Sequence, residues 1–341
     1  MNRRLPAEWE EQDGVLLAWP HAQTDWAPYL STVEPVFAEI ARHIARRQQL
    51  VIVAQEPEKV RDLLESAQVN ADAVKYFALP NNDTWARDFG PITVYEDDRP
   101  LLLDFGFNGW GLKFASNLDN RLSRLLHAAG AFGEAPLQTE GLILEGGSLE
   151  SDGAGTLLTT AECLLEANRN PHLNRVEIEE QLKRLLGLRR VLWIENGFLA
   201  GDDTDSHIDT LARFAPDNTI VYVACDEPQD EHYSALQRMK AELESLRTAD
   251  GLPYTLIALP WPRPCYDEEG QRLPATYANF LIINDAVLVP VYADPADEAA
   301  LQAIGRAFPG REVVGIDCRP LIMLHGSLQC VTMQLPKGVL P

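Results

Sequence analysis

Long apolar runs and a secretory signal are both missing from this sequence of 341 residues. Its longest apolar stretches, such as FLIIN followed by AVLVPVY, fall well short of the roughly 20 residues that a membrane helix needs. The N-terminal MNRRLPAEWEEQDG begins with basic residues but has no apolar stretch behind them, as a secretory signal would. The sequence therefore predicts a cytoplasmic protein that does not enter a membrane.

Metal-binding and disulfide patterns are also scarce. The five cysteines are odd in number and none lies close to another, which argues against a disulfide framework and a cysteine-zinc site. There is no HExxH motif, and the acidic stretch DDTDSHID lacks the glycine and glutamate positions of an EF-hand loop. The residues thus disfavour a metal site, although four aspartates and a histidine lie within Gly201 to Asp209.

Basic residues are few compared with acidic ones. The sequence has 29 lysines and arginines against 51 aspartates and glutamates, a net charge of -22. A field of this sign repels nucleic acid and anionic lipid, and it favours the approach of small cations. We therefore expect a small cationic partner rather than a nucleic acid or a membrane.

One order of predicted elements recurs along the chain: strand, turn, strand, helix and a further strand. The turns lie near residues 97, 152, 217 and 284, and turn-forming Asp, Asn, Gly and Pro mark several of them. An incomplete first unit, from GVLLAWP to LVIVAQ, lacks one strand, which SLQCVTMQL near the far end of the chain can supply. The pattern predicts one α/β domain over residues 1–341, made of five ββαβ units that close a ring without a free edge.

The residues whose side chains could bind a ligand or take part in catalysis lie at or just before the first strand of these units. They belong to the segments NDTWARDFGP, LEGGS, DSHID and HGSLQC. Equivalent positions around a ring meet near its axis, so we expect one central pocket. His207 and Asp209 are two apart on a predicted strand and would share one face. Trp85 would offer its ring to a cation. The residues expected in the pocket are Trp85, Asp88, Glu145, His207, Asp209 and Cys330.

Cys330 differs from the other cysteines because a polar, glycine-containing segment precedes it. Carboxylates raise the pKa of a neighbouring thiol, whereas a cation lowers it, and the thiolate is the nucleophile. A cysteine among carboxylates therefore makes chemical sense when the ligand is a cation. A guanidinium is planar and is matched bidentately by carboxylates, so Asp88 and Asp209 would hold it while the sulfur attacks its carbon.

The chain resembles the agmatine deiminases, a branch of the guanidino-group-modifying enzymes that includes bacterial-type peptidylarginine deiminases. The motifs that carry the resemblance run nearly from end to end: PAEWEEQDGVLLAWPH, NDTWARDFGP, FNGWG, LEGGSLESDGAGTLLTT, NRNP, DDTDSHIDTLARF, YANF and CVTMQ.

This resemblance implies a five-fold pseudosymmetric α/β propeller (pentein-like), no metal, no organic cofactor, a homodimer and a place in putrescine biosynthesis. It also implies that Cys330 is the nucleophile, that His207 is the acid and base, and that Asp88 and Asp209 bind the guanidinium. Glu145 would contact the guanidinium and assist proton transfer, and Trp85 would line the pocket.

The sequence departs from the typical family pattern at Gln329, where a histidine is usual, and at Ser206, where a glycine is usual. These changes leave alternatives open: deimination of free or peptidyl arginine, a non-catalytic polyamine-binding protein, or a metal-dependent hydrolase that makes urea. Arg87 and Arg213 are candidates for binding the α-carboxylate of arginine, and both are equally plausible as structural partners of nearby acidic residues.

Overall fold

The computed structural model describes residues 3–341, a mixed α/β chain whose elements follow one another in short succession. The strands are β1 (Arg3–Arg4), β2 (Gln12–Ala18), β3 (Gln49–Ala54), β4 (Val74–Ala78), β5 (Ile92–Glu96), β6 (Arg99–Gly106), β7 (Leu137–Ile143), β8 (Glu150–Ser151), β9 (Thr156–Thr160), β10 (Arg190–Ile194), β11 (Ala212–Ala215), β12 (Thr219–Val223), β13 (Thr255–Leu259), β14 (Cys265–Tyr266), β15 (Arg272–Leu273), β16 (Leu281–Ile283), β17 (Ala286–Val291), β18 (Glu312–Asp317) and β19 (Thr332–Pro336). The α-helices are α1 (Leu30–Ala45), α2 (Pro57–Ser66), α3 (Ala86–Phe89), α4 (Gly109–Leu112), α5 (Leu122–Ala128), α6 (Ala161–Leu164), α7 (Arg175–Leu186), α8 (Tyr233–Ser245), α9 (Asp297–Ala307) and α10 (Arg319–Ile322).

The predicted ββαβ unit is confirmed. In four sheets a hairpin is extended by a parallel strand that follows a helix: β5-β6-β7, β8-β9-β10, β11-β12-β13 and β16-β17-β18. In the fifth sheet β19 pairs antiparallel with β2, and β3 and β4 extend it in parallel. The prediction that a strand from the far end of the chain completes the first unit is therefore also confirmed.

Burial explains the composition of the middle strands. All five residues of β9 and of β12 are buried, as are most of those in β2, β3 and β17. Apart from the first three residues of β2 and the first residue of β3, these strands therefore consist of apolar and threonine residues. The outer strands β10, β13 and β18 are only partly buried. The core thus lies around the middle strands, with helices packed outside them.

Side-chain hydrogen bonds join each sheet to the next. Arg87, before β5, donates to Gln334 on β19. Arg3 on β1 donates to the carbonyl of Leu185 in α7, the helix that connects β9 to β10. Arg213 on β11 reaches both neighbouring sheets, because it pairs with Glu150 on β8 and donates to the carbonyls of Ala278 and Phe280 before β16. The Gln12 side chain on β2 donates to the carbonyl of Ile282 on β16.

Short helical turns precede the first strand of several units. Asp88 lies in α3, Glu145 precedes a 3₁₀ turn at Gly146–Ser148, and His207 precedes another at Ile208–Thr210. The prediction of a strand carrying His207 and Asp209 on one face is therefore wrong. The hydroxyl of Thr210 and its backbone N–H both donate to the carbonyl of His207, which closes a turn instead.

The helix predicted between the hairpin and the third strand of each unit is present. α9 begins with two acidic residues in its first turn, Asp297 and Glu298, which is favourable at a helix start. In the unit of β8, β9 and β10 the four-residue α6 follows the hairpin directly, and the long helix α7 begins later at an Asn174–Glu177 capping box. Across residues 3–341, none of the helices combines the length and the apolar character needed to cross a membrane.

Candidate active site

His207 is completely buried, and a buried ion pair holds it from one side. Its Nε2 lies 3.2 Å from Oε2 of Glu145, whose oxygens also accept hydrogen bonds from Nε of Arg169 at 2.8 and 3.0 Å. Burial opposes ionisation of Glu145, but the His207 hydrogen bond and the charge of Arg169 lower its pKa. Burial likewise opposes a charged imidazole, yet the charge of Asp88 and contacts with Cys163 and Glu145 raise the pKa of His207 well above its ordinary value.

Asp88 faces the other ring nitrogen of His207, with Oδ1 lying 3.7 Å from Nδ1. Its carboxylate accepts hydrogen bonds from the backbone N–H of Gly147 and from the indole N–H of Trp110, both at 3.0 Å. Burial raises the pKa of Asp88, and the nearby His207 counteracts this effect. The carboxylate is thus oriented by two fixed donors and leaves capacity for a further one.

Asp209 is buried and neither of its carboxylate oxygens has a hydrogen-bond partner within residues 3–341. Burial raises its pKa to about 7. A methyl group on Gly147 would lie 3.1 Å from Oδ2 of Asp209, 3.0 Å from Oδ1 of Asp88 and 2.4 Å from Nδ1 of His207. Three predicted site residues therefore converge on one glycine, and only a residue without a side chain leaves room there.

Cys330 lies in the turn before β19, not on a strand. Its backbone N–H and thiol lie 3.3 and 3.4 Å from the side-chain oxygen of Asn279, and its carbonyl accepts a hydrogen bond from the backbone N–H of Arg87. Burial, followed by the negative charges of Asp209 and Asp88, raises the pKa of the Cys330 thiol well above its ordinary value. The surroundings of Cys330 therefore favour the protonated thiol over the thiolate.

A cavity of about 530 Å³ contains Cys330 and Asp88 in its wall together with the ring of Trp85. A methyl group on Gly326 would lie 2.1 Å from the Trp85 ring, so this glycine permits the tryptophan to lie flat against the Cys330 segment. The remaining lining residues are Asp25, Asp83, Trp110, Phe114, Asp203, Thr204, Leu324 and His325. The wall is thus aromatic and acidic, as a cavity for an organic cation requires.

A second cavity, of about 610 Å³, lies on the far side of Arg87 and Gly146. It is lined by Glu8, Arg87 and Gln334, which bind one another, and by apolar residues such as Leu5 and Met333. Neither a cysteine nor a histidine from the described residues lines it. It therefore lacks the groups needed for the predicted chemistry.

Glu145, Cys163 and His207 are close enough for a metal, since their potential ligand atoms lie within 4.8 Å of one another. Arg169 already donates to both oxygens of Glu145, and its charge opposes a second cation at that carboxylate. Burial also raises the pKa of the Cys163 thiol, which disfavours the thiolate that a metal would bind. Chemistry without a metal stays a prediction.

The structure thus gathers His207, Glu145, Asp88 and Asp209 in one cluster and places Cys330, Asp88 and Trp85 in one cavity. Glu145 lies behind His207 with both oxygens engaged, so its arrangement suits orientation of the imidazole better than direct contact with a ligand. Sequence reasoning gave no role to Arg169, Trp110 and Asn279, although NRNP, FNGWG and YANF contain them. Their partners lie in distant segments, so only the family resemblance pointed to these motifs.

The profile of the Porphyromonas-type peptidyl-arginine deiminases matches residues 4–336. The chain belongs to this family. Agmatine deiminase from Pseudomonas aeruginosa (strain UCBPP-PA14) is 32% identical over 358 aligned positions, which cover 98% of this chain and 95% of that protein. The predicted family and its enzyme class, hydrolases acting on amidines, are confirmed by this full-length similarity.

Solved structures agree over the full length. A Porphyromonas gingivalis protein provisionally described as an arginine deiminase is 52% identical, with a TM-score of 0.95 and coverage of 99% of this chain and 100% of that one. A cysteine-to-serine variant of the C. jejuni agmatine deiminase with substrate bound is 40% identical, with a TM-score of 0.92 and coverage of 99% and 97%. A dimethylarginine dimethylaminohydrolase is 11% identical with a TM-score of 0.51, a likeness of fold alone.

Proposed function

We propose that this family member is a cysteine-dependent deiminase that hydrolyses agmatine to N-carbamoylputrescine and ammonia through a covalent S-alkylthiouronium. The observation that carries this proposal is the buried carboxylate of Asp209, which has no partner and lies beside Asp88 and His207. A buried polar group without a partner is costly unless a ligand satisfies it. A guanidinium offers the N–H donors and the positive charge that these carboxylates need.

Formation of the nucleophile depends on the same cation. Burial and the carboxylates favour the protonated Cys330 thiol, and a guanidinium between Asp88 and Asp209 offsets the charge of these carboxylates, so the thiol releases its proton to solvent when substrate enters. The sulfur then forms a bond to the guanidinium carbon. Attack requires the sulfur and the carbon to lie about 3–3.5 Å apart, a condition that fixed positions of the carboxylates and of Cys330 favour.

His207 is suited to be the proton donor in the first half of the reaction, because the surrounding groups favour its charged form. It gives a proton to one terminal nitrogen of the tetrahedral adduct, the C–N bond breaks, and ammonia leaves a cationic thiouronium on Cys330. The neutral ring then takes a proton from water and the hydroxide adds to the same carbon. The C–S bond breaks to release carbamoylputrescine, and the hydroxyl proton passes to the departing sulfur, which restores the thiol. The hydrogen bond to Glu145 keeps the imidazole in one orientation during both steps.

The charged groups that line the cavity favour agmatine over arginine. Arg87 and Arg213, the two candidates for binding an α-carboxylate, are both paired with Glu8 outside this cavity. Within residues 3–341 no lysine or arginine lines the cavity, whereas Asp25, Asp83 and Asp203 do. An α-carboxylate would meet these acidic groups, and an ammonium would be attracted to them.

Arginine deimination remains the second candidate because the 52% identical P. gingivalis protein bears that provisional description. Product analysis with agmatine, free arginine and an arginyl peptide separates the two. Ammonia with carbamoylputrescine supports the proposal, citrulline indicates arginine deimination, and urea with putrescine indicates the metal-dependent alternative, which EDTA would inhibit. Binding of agmatine without any product would indicate a polyamine-binding protein.

The nucleophile has its own test. Cys330→Ser should lower turnover of agmatine by about 1,000-fold or more while agmatine binding stays measurable by calorimetry, because the carboxylates remain. Cys265→Ser is the matched control, since this half-buried cysteine lies outside the cavity. Equal turnover in both variants would refute the assignment of Cys330.

The proposal extends to the whole molecule. We propose that the five sheets close into a five-fold propeller, which the hydrogen bonds from each sheet to the next support. A cytoplasmic homodimer in putrescine biosynthesis follows from the family resemblance. Light scattering and cell fractionation test the assembly and the location.

A further inference from the structure

His325 forms part of the cavity mouth, five residues before Cys330. Its Nδ1–H donates to the carbonyl of Gly201 at 2.6 Å, and about a third of the side chain is exposed. Within the described residues its Nε2 has no hydrogen-bond partner. Because Nδ1 carries the proton of the neutral ring, Nε2 presents a lone pair that can accept a hydrogen bond.

The backbone of His325 is in the left-handed region, with φ of 69°. Residues with a Cβ rarely adopt this conformation, which glycine adopts freely. Such strain persists where surrounding contacts hold it, and it concentrates at functional sites. At His325 the hydrogen bond to Gly201, 124 residues away in sequence, holds the ring at the cavity wall.

The groups around this ring are acidic. Oδ2 of Asp203 lies 4.0 Å from Nδ1 of His325, and Asp25 and Asp83 line the same cavity. Burial raises the pKa of Asp83 to about 6, although Thr84 and Trp26 donate hydrogen bonds to its carboxylate. Lys113 donates to the carbonyl of Asp203 and to Asp205, so its charge is already partnered.

We propose that His325 is a specificity-determining residue whose Nε2 accepts a hydrogen bond from the amine at the far end of the substrate. This inference rests on the proposed function, since it assumes that the guanidinium lies at Cys330. The inner carboxylates bind any guanidinium, whereas His325 recognises a second N–H donor at the mouth. The preferred substrate class is therefore an alkylguanidine that ends in an amine, not one that ends in a carboxylate.

The test compares agmatine with N-butylguanidine, which has the same four-carbon chain without the amine. His325→Gly removes the acceptor and also relieves the backbone, so the variant should fold with a melting temperature at or above that of the wild type. Asn218→Gly is the matched control, because Asn218 is an exposed residue of the β11-β12 turn with φ of 54°. Ratios of kcat/KM for the two substrates are measured for all three proteins.

We expect His325→Gly to lower the preference for agmatine over butylguanidine by about tenfold, through KM for agmatine, because one hydrogen bond to a charged donor is lost. Asn218→Gly should leave the ratio as in the wild type. An unchanged ratio in His325→Gly, or a selective loss of arginine turnover, would overturn the inference while the proposed function stands. Absence of turnover with every guanidine in the wild type would instead refute the proposed function itself.

Discussion

Asp209 is the residue at which function and stability most clearly oppose each other. A carboxylate with no partner inside the protein favours its neutral form, hence its pKa of about 7. Below about pH 4 the group is protonated in both the folded and the unfolded chain. As the pH rises further the unfolded chain ionises first, so the folded state loses stability until the pH reaches the folded pKa.

We expect Asp209→Asn to be inactive with agmatine but more stable than the wild type in the absence of ligand. The amide is uncharged at every pH, so the gain in unfolding free energy should be roughly 1–3 kcal/mol larger at pH 8 than at pH 5. Thermal and urea unfolding at these two pH values measure the difference. Asp217→Asn, at an exposed turn residue, is the control. A variant that is less stable than the wild type at pH 8 would contradict this account.

Among the structural elements, the connection between β10 and the turn at Ile208 carries His207 and determines its position. It has no regular secondary structure, and Arg169 holds it from another segment. The guanidinium donates to the carbonyl of Thr204 at 2.9 Å and to Asp205 at 2.7 Å, in addition to its bond with Glu145. One buried arginine therefore fixes both the loop that carries His207 and the carboxylate that orients its ring.

Arg169→Lys should lower kcat for agmatine by about 100-fold, with a smaller effect on KM, because a single ammonium cannot replace three directed N–H groups. Steady-state kinetics measure the change. Arg175→Lys is the matched control, since Arg175 begins α7 and pairs with Glu195 at the surface. Similar losses in the two variants would show that the effect is not specific to the buried position.

The elements also show which local signals are reliable. The hairpin turns were predictable because Asp-Gly, Pro-Asp-Asn and Asn-Asp force a reversal between two apolar runs. The turn at Ile208–Thr210 was not, since SHIDTLARF alternates like a strand and only the bonds from Thr210 to the His207 carbonyl reveal otherwise. The segment HGSLQC drew attention to Cys330 but gave His325 no role, because the strained backbone of His325 and its bond to Gly201 exist only in the folded chain.

At the scale of the whole molecule, Glu8 connects segments that come from different sheets. Its carboxylate pairs with Arg87 and Arg213 and accepts hydrogen bonds from Gln329 and Gln334. These partners include the residues that directly precede Asp88 and Cys330 in the chain. Gln329, where the family usually has a histidine, is therefore part of this network and is not among the residues that line the cavity.

Glu8→Ala should lower the unfolding free energy by about 3–5 kcal/mol, because it leaves the buried guanidinium of Arg87 without a partner carboxylate and removes one of the two that Arg213 has. Chemical denaturation measures the loss. Glu11→Ala is the control in the same segment, since its pair with Lys337 is exposed and should contribute at most about 1 kcal/mol. Equal effects of the two substitutions would mean that Glu8 does not hold the sheets together.

The global arrangement was largely predictable from periodicity, including the union of β2 with β19. The cluster of Asp88, Glu145, His207 and Asp209 followed from the same argument, since equivalent positions of repeated units meet at one place. The network around Glu8 could not be predicted in this way. The sequence does not indicate which arginines pair with Glu8, nor which acidic residue of EWEE is directed inward.

The acidic surroundings of Cys330 also affect how fast its sulfur reacts with oxidants. Peroxide and similar agents attack a sulfur anion far faster than a neutral thiol. An idle enzyme that keeps this proton in place and only 4% of the residue exposed is sheltered from such damage. Under the proposed mechanism the sulfur is an anion only while substrate is bound, so we expect oxidation of Cys330 to be fastest during turnover.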